Sequence, residues 1–131
     1  MKVELRLKFE LRATHSLGVR QEPHEHLWLI RAEIAGEPVG GMILNLPAVR
    51  DAFAPFVDEL KEKYLNTAPE LSLDAQAAPT CETLAAHFFT RFAETLDTKF
   101  HAENPTVILN AVEVELYDPD GFEWGSAKLS R

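Results

Sequence analysis

From residue 2 to residue 12 the chain alternates without a break. Val3, Leu5, Leu7, Phe9 and Leu11 fall on one face, and Lys2, Glu4, Arg6, Lys8, Glu10 and Arg12 fall on the other. Alternation of this length predicts a long strand with one buried face. Carried past Leu11, the same parity brings Ala13 and then His15 onto the apolar face, with His15 where that face runs out. Residues 16 to 23 contain Gly18 and Pro23 and predict a turn. A second strand is expected from about His24 to Ala35. Its even positions His24, His26, Trp28, Ile30, Ala32 and Ile34 again form a core face that ends in histidines.

Further along, the period changes. Gly36 to Gly41 predicts a glycine-rich turn, Met42-Ile43-Leu44 a brief return to strand, and Asn45 a helix N-cap with Pro47 in the first turn. Val49, Phe53, Phe56, Val57, Leu60 and Tyr64 recur at helical spacing, and Pro55 within that run removes one hydrogen bond. Residues 66 to 79, with Pro69 and Pro79, predict a loop. Thr80 then caps a second helix with the stripe Leu84, Ala85, Phe88, Phe89, Phe92 and Leu96. Val107 to Tyr117 predicts a third strand with Ile108, Val112, Val114 and Leu116 inward. Asp118-Pro119-Asp120-Gly121 is a turn leading to a last strand from Phe122 to Leu129. The order strand, strand, helix, helix, strand, strand specifies an α+β fold, an antiparallel four-stranded sheet with two helices on one face. Its long edges favour pairing with further copies of the chain, so a homo-oligomeric ring or barrel is expected.

Composition narrows the partners. At 131 residues the chain is expected to form one domain, residues 1–131. No apolar run approaches the ~20 residues of a membrane span, and the charged amino terminus does not read as a secretory leader, so no membrane partner and a cytoplasmic location are expected. Thirteen basic against 21 acidic residues give a net charge of −8, which opposes attraction to a phosphate backbone; no nucleic acid partner is expected. The single cysteine, Cys81, forbids an internal disulfide and reads as a buried, inert thiol.

The histidines carry the candidate chemistry. His24 and His26 share a strand face, and the independent parity of the first strand delivers His15 to the same side of the sheet. Three neutral imidazoles with an open fourth position describe a catalytic zinc (Zn2+) site, although His-x-His alone is a weak pattern and a polar hairpin with incidental histidines is the alternative. His87 lies off the centre of its helical stripe and reads as a partly exposed helix residue; His101 is given no role.

Five segments together resemble the 6-pyruvoyl-tetrahydropterin synthase and 6-carboxytetrahydropterin synthase family, whose architecture is called the tunnelling fold. They are Phe9-Glu10-Leu11-Arg12-Ala13-Thr14-His15, His24-Glu25-His26, Gly41-Met42-Ile43, Tyr64-Leu65-Asn66 and Pro79-Thr80-Cys81-Glu82-Thr83-Leu84-Ala85. The resemblance implies zinc held by His15, His24 and His26, and active sites between subunits whose sheets join into a barrel. The chain also departs from the family pattern. Arg20 stands where the family has a nucleophilic cysteine, Glu25 replaces a glycine, Lys61 and Glu62 replace an Asp-His pair, and Leu116 replaces the glutamate that anchors the pterin ring. Glu115 is adjacent to that position but has the opposite strand parity.

The expected activity is therefore a zinc-dependent lyase, isomerase or cyclase acting on a small polar molecule other than the usual pterin, since function follows the site and not the fold. Glu62 and Glu22 are the candidate catalytic bases, each with a solvated surface carboxylate as its plainer reading. Arg20 is the candidate contact for a substrate carboxylate or phosphate, against an exposed loop arginine. Three alternatives stay open: a pterin synthase with rearranged catalytic residues, a non-catalytic ligand-binding homologue, and a structural zinc protein whose fourth ligand is Glu22.

Overall fold

Strands β1 (Val3–His15) and β2 (His24–Gly36) form an antiparallel ribbon paired residue for residue, from Val3 opposite Gly36 to His15 opposite His24. The computed structural model describes residues 1–18, 21–73 and 77–131. After the ribbon come helix α1 (Leu46–Asp58), helix α2 (Cys81–Thr95), β3 (Ile108–Tyr117) and β4 (Glu123–Ser130), and the strands lie in the order β1-β2-β3-β4, all antiparallel. The α+β arrangement expected from the hydrophobic pattern is the one found.

One sheet face carries the core. Leu7, Phe9, Leu11 and Ala13 of β1, Trp28, Ile30, Ala32 and Ile34 of β2, and Val112 and Val114 of β3 are buried beneath the helices. The helices meet the sheet through aromatic rings: Phe53 of α1 and Phe92 of α2 stack with centroids 4.2 Å apart, and Phe9 of β1 lies 6.0 Å from Phe92. Asn45 caps α1 by accepting from the Ala48 amide at 3.0 Å. Thr80 and Thr83 cap α2 reciprocally, and below it a single π-helical turn, Leu96–Phe100, buries Leu96 and Phe100.

Three details correct the sequence reading. Residues 42–44 are not a strand, because Val39 and Met42 form one isolated bridge around Gly40 and Gly41, both at positive φ, and the Ile43 carbonyl is taken by the buried Asn104 side chain at 3.0 Å. Tyr64 lies beyond the end of α1, where it forms an isolated parallel bridge with Thr14. On β3, Ile108 is 37% exposed and Leu109 only 1%. The cause is a shift in the β2–β3 register at Glu33/Ile34: Ala111 faces Glu33 while Leu109 faces Ile34, so parity inverts for the first residues of β3.

The other sheet face is polar and tightly paired. Arg31 bonds Glu113 at 2.7 Å and Glu115 at 3.1 Å, Lys128 reaches Glu33 at 3.2 Å, and the Tyr117 hydroxyl donates to Glu115 at 2.5 Å. That hydrogen bond, ahead of partial burial, pushes the Tyr117 phenol up to about 12. Part of the β1 edge is covered by the chain itself. The Glu62 amide donates to the Arg12 carbonyl at 2.8 Å, the Thr14 amide to the Lys63 carbonyl at 3.0 Å, and Arg50 to the Lys8 carbonyl at 2.8 Å.

Candidate metal centre

The ribbon brings the three histidines together because of its register. His15 and His24 are a directly opposed cross-strand pair, and His26 is diagonal to His15 one step inward, the closest arrangement two strands offer to three side chains on one face. Ring centroids lie 4.7 Å (His15–His24), 4.9 Å (His15–His26) and 4.5 Å (His24–His26) apart. One ring nitrogen from each falls within 4.8 Å of the others, and among the described residues no carboxylate or thiol joins the group.

Each ring is oriented by a backbone carbonyl. His15 Nδ1 lies 2.8 Å from the Pro79 oxygen, His26 Nδ1 2.9 Å from Tyr117 and His24 Nδ1 3.1 Å from Glu22. A carbonyl oxygen only accepts, so each Nδ1 carries the proton and each neutral ring presents its Nε2 lone pair. The Nε2 atoms of His15 and His26 are buried with no hydrogen-bond partner. Burial, the largest cause, lowers the pKa of both rings against the raising effect of their carbonyl partners; for His15 the neighbouring His26 and His24 add to the lowering. Both rings are thus held in the form that ligates a metal.

The residue after His15 is clamped. Asn66 Oδ1 accepts from the Ser16 amide at 2.9 Å, its Nδ2 donates to the Ser16 carbonyl at 2.8 Å, and the Ser16 and Tyr64 hydroxyls lie 2.7 Å apart. The Tyr64-Leu65-Asn66 segment therefore acts on the end of β1.

The other predicted site residues are placed differently. Glu22 contributes its carbonyl to His24, and its side chain is exposed in the turn just before that histidine. Glu62 is exposed, sits at φ 61°, and lines an open cavity of about 240 Å³ with Glu10, Arg12 and Lys61. Within one chain no hydrogen bond or ion pair joins its carboxylate to the histidines. Arg20 lies outside the described residues. Leu116 is on the inner face opposite Trp28, whereas Glu115 is on the outer face and already engaged by Arg31 and Tyr117. Cys81 is buried, with burial pushing its thiol up to about 11, as expected of an inert residue. The carbonyls of Pro79 and Tyr117 were missed by sequence reasoning; nothing in residue type marks a backbone oxygen as a histidine partner. Trp124 was missed as well, and its ring lies 4.9 Å from His26.

Comparison with known proteins agrees with the architecture. The family model for 6-pyruvoyl tetrahydropterin synthase matches residues 3–120. The chain belongs to the 6-pyruvoyl tetrahydropterin synthase family. Among solved structures, the Caenorhabditis elegans 6-pyruvoyl tetrahydropterin synthase is similar with a TM-score of 0.73 at 14% identity, covering 100% of this chain and 96% of that one. The Plasmodium vivax enzyme gives a TM-score of 0.67 at 12% identity, covering 100% and 99%. A further structure of the P. vivax enzyme is described as a mutant of a catalytic glutamate, with the same TM-score, identity and coverage. A comparison with curated proteins finds no match. At these identities the solved structures establish the tunnelling fold, and the chemistry has to be argued from this chain's own residues.

Proposed function

We propose that the protein is a zinc-dependent, lyase-type enzyme that carries out an elimination, isomerisation or cyclisation on a small polar molecule other than the family's pterin. The observation that carries this reading is the group His15, His24 and His26: three rings, each with Nδ1 on a backbone carbonyl, offering one ring nitrogen apiece within 4.8 Å of one another, and no fourth protein ligand among the described residues. Three imidazole nitrogens grouped on one sheet face are the donor set that would hold a zinc ion with a position left open. When bound, zinc supplies a Lewis acid for a substrate oxygen or lowers the pKa of a bound water to ~7.

The chain's own residues do the rest. His15, His24 and His26 hold the ion, with the carbonyls of Pro79, Glu22 and Tyr117 fixing the rings. Glu22, two residues before His24, is the proton acceptor we assign to the site. Glu62 serves a site only where a second subunit brings the end of α1 to it. That requires a homo-oligomer whose sheets join through the edges not covered within one chain, the role we assign to the single domain of residues 1–131. Arg20 contacts an anionic group of the substrate. A cytoplasmic location accords with this chemistry, and among the described residues no helix is long and apolar enough to cross a membrane.

The family's pterin is disfavoured because the inner-face position that would anchor its amide edge is Leu116. An amide group left unpaired against leucine costs ~1–3 kcal/mol. A second reading, a pterin synthase-type lyase with rearranged residues, is favoured by the P. vivax enzyme, whose catalytic residue is a glutamate; Glu22 is the counterpart this chain offers.

The test is elemental analysis of the purified protein followed by incubation with dihydroneopterin triphosphate. About one zinc per chain and no tetrahydropterin product are expected. A metal-free native protein refutes the zinc reading, turnover on the order of a hundredth per second or faster restores the pterin assignment, and a monomer by light scattering removes the intersubunit site.

A further inference from the structure

Strand β4 departs from regular pairing beside the histidines. Leu116 faces Gly125 but Tyr117 faces Glu123, which leaves Trp124 as the extra residue of a β-bulge. A bulge re-aims the side chain it carries, and here the indole is turned onto His26, edge to face at 4.9 Å. Its other end is fixed too, because Trp124 Nε1 donates to the Asp118 carboxylate at 3.2 Å. Held at both ends, the ring is nevertheless 61% exposed. Leu116, half-buried, lies on the same inner face, and the position beside it is Gly125, where a Cβ would meet nothing within 4 Å. The neighbourhood of His26 is thus a flat aromatic face and an aliphatic side chain, with the Asp118 carboxylate that bonds the indole as the acidic group beside them.

We propose that Trp124 and Leu116 form a specificity wall that takes a planar, apolar portion of the substrate, an aromatic or conjugated group attached to the oxygen donor that binds the metal. This inference rests on the metal reading and deepens it by naming a substrate class. A ring stacked on a pinned indole loses little side-chain freedom on binding, and it replaces water over an apolar surface next to the metal.

The test uses zinc-loaded protein in its native assembly and two metal-binding probes of the same chelating group, acetohydroxamate and benzohydroxamate, followed by calorimetry and by tryptophan emission. Both are expected to bind, with benzohydroxamate about tenfold tighter, a difference of the size a well-placed aromatic contact supplies. W124A is expected to reduce benzohydroxamate to the affinity of acetohydroxamate, and W124F to keep most of the advantage. Equal affinities in the native protein overturn the proposal; that is the result expected if a second copy of the chain covers the indole. An aryl advantage that survives W124A overturns it as well. If neither probe binds, the metal reading fails and the wall falls with it.

Discussion

His15, His24 and His26 on the sheet invite comparison with His87 on helix α2. All four rings are at least partly buried, and His87 shares with His15 and His26 a buried Nε2 without a partner and a pKa lowered first by burial. What His87 lacks is company and orientation. It lies edge-on to Phe88 at 5.1 Å in the wall of an open cavity of about 460 Å³, with Arg91 and Glu70 as its charged neighbours and, among the described residues, no carbonyl bonded to its Nδ1. A buried imidazole is therefore not in itself evidence of a ligand. Convergence of several lone pairs, each set by a carbonyl on the opposite ring nitrogen, separates the two cases.

The largest effect expected from this contrast is on metal content. Replacing His24 and His26 together by alanine should remove zinc entirely, whereas H87A should leave about one per chain; elemental analysis of both variants decides whether the two environments differ in kind. Next in size is the clamp on Ser16. N66A frees the residue that follows His15 and should weaken zinc binding by roughly 10–100-fold in a chelator competition, with N66D intermediate because it keeps one of the two hydrogen bonds.

The smallest effect concerns what the regions share. In metal-free protein, His15, His26 and His87 all have folded pKa values below the unfolded value of 6.5. Above pH 6.5 both states are neutral at these rings and their contribution is fully present. As pH falls below 6.5 the unfolded chain takes up protons first, so stability should decline until the lowered folded values are passed. Each of the two nearly inaccessible rings, His15 and His26, adds a slope of at most about 1.4 kcal/mol per pH unit. Urea titrations from pH 7.5 to 5 measure it. H87A should reduce the slope without abolishing it, and a pH-independent midpoint would show that the rings titrate normally.

Much of this was legible in the chain. Unbroken parity in residues 2–15 and 24–34 located both strands, their buried faces and the three histidines, because a strand with one dry face tolerates no slip of register. Parity failed at Ile108, where a bulge that no residue type announces inverts the face. It was equally silent on Trp124, which reaches His26 only through a second bulge. The partners of His15 and His26, Pro79 and Tyr117, lie 64 and 91 residues away in sequence and act through main-chain oxygens, so composition carries no trace of them. Glu62 was tied to the metal by the position it shares with the family's dyad, and a single chain leaves it on the opposite, polar side of β1 near Arg12.

The residue-for-residue ribbon of β1 and β2 divides the candidate residues into two kinds of inheritance. The three histidines are written into strand register, where inserting or deleting one residue in either strand would send a ligand to the wrong face and disturb the packing of Leu11 and Trp28 with it. Glu22 and Arg20 belong to the connection between those strands, where Ser16 is tied to Asn66 and the Glu22 carbonyl to His24, while the exposed Glu22 side chain takes no part in the core. A chain built this way can trade the acid and the anion contact of this hairpin loop while the metal set stays in place.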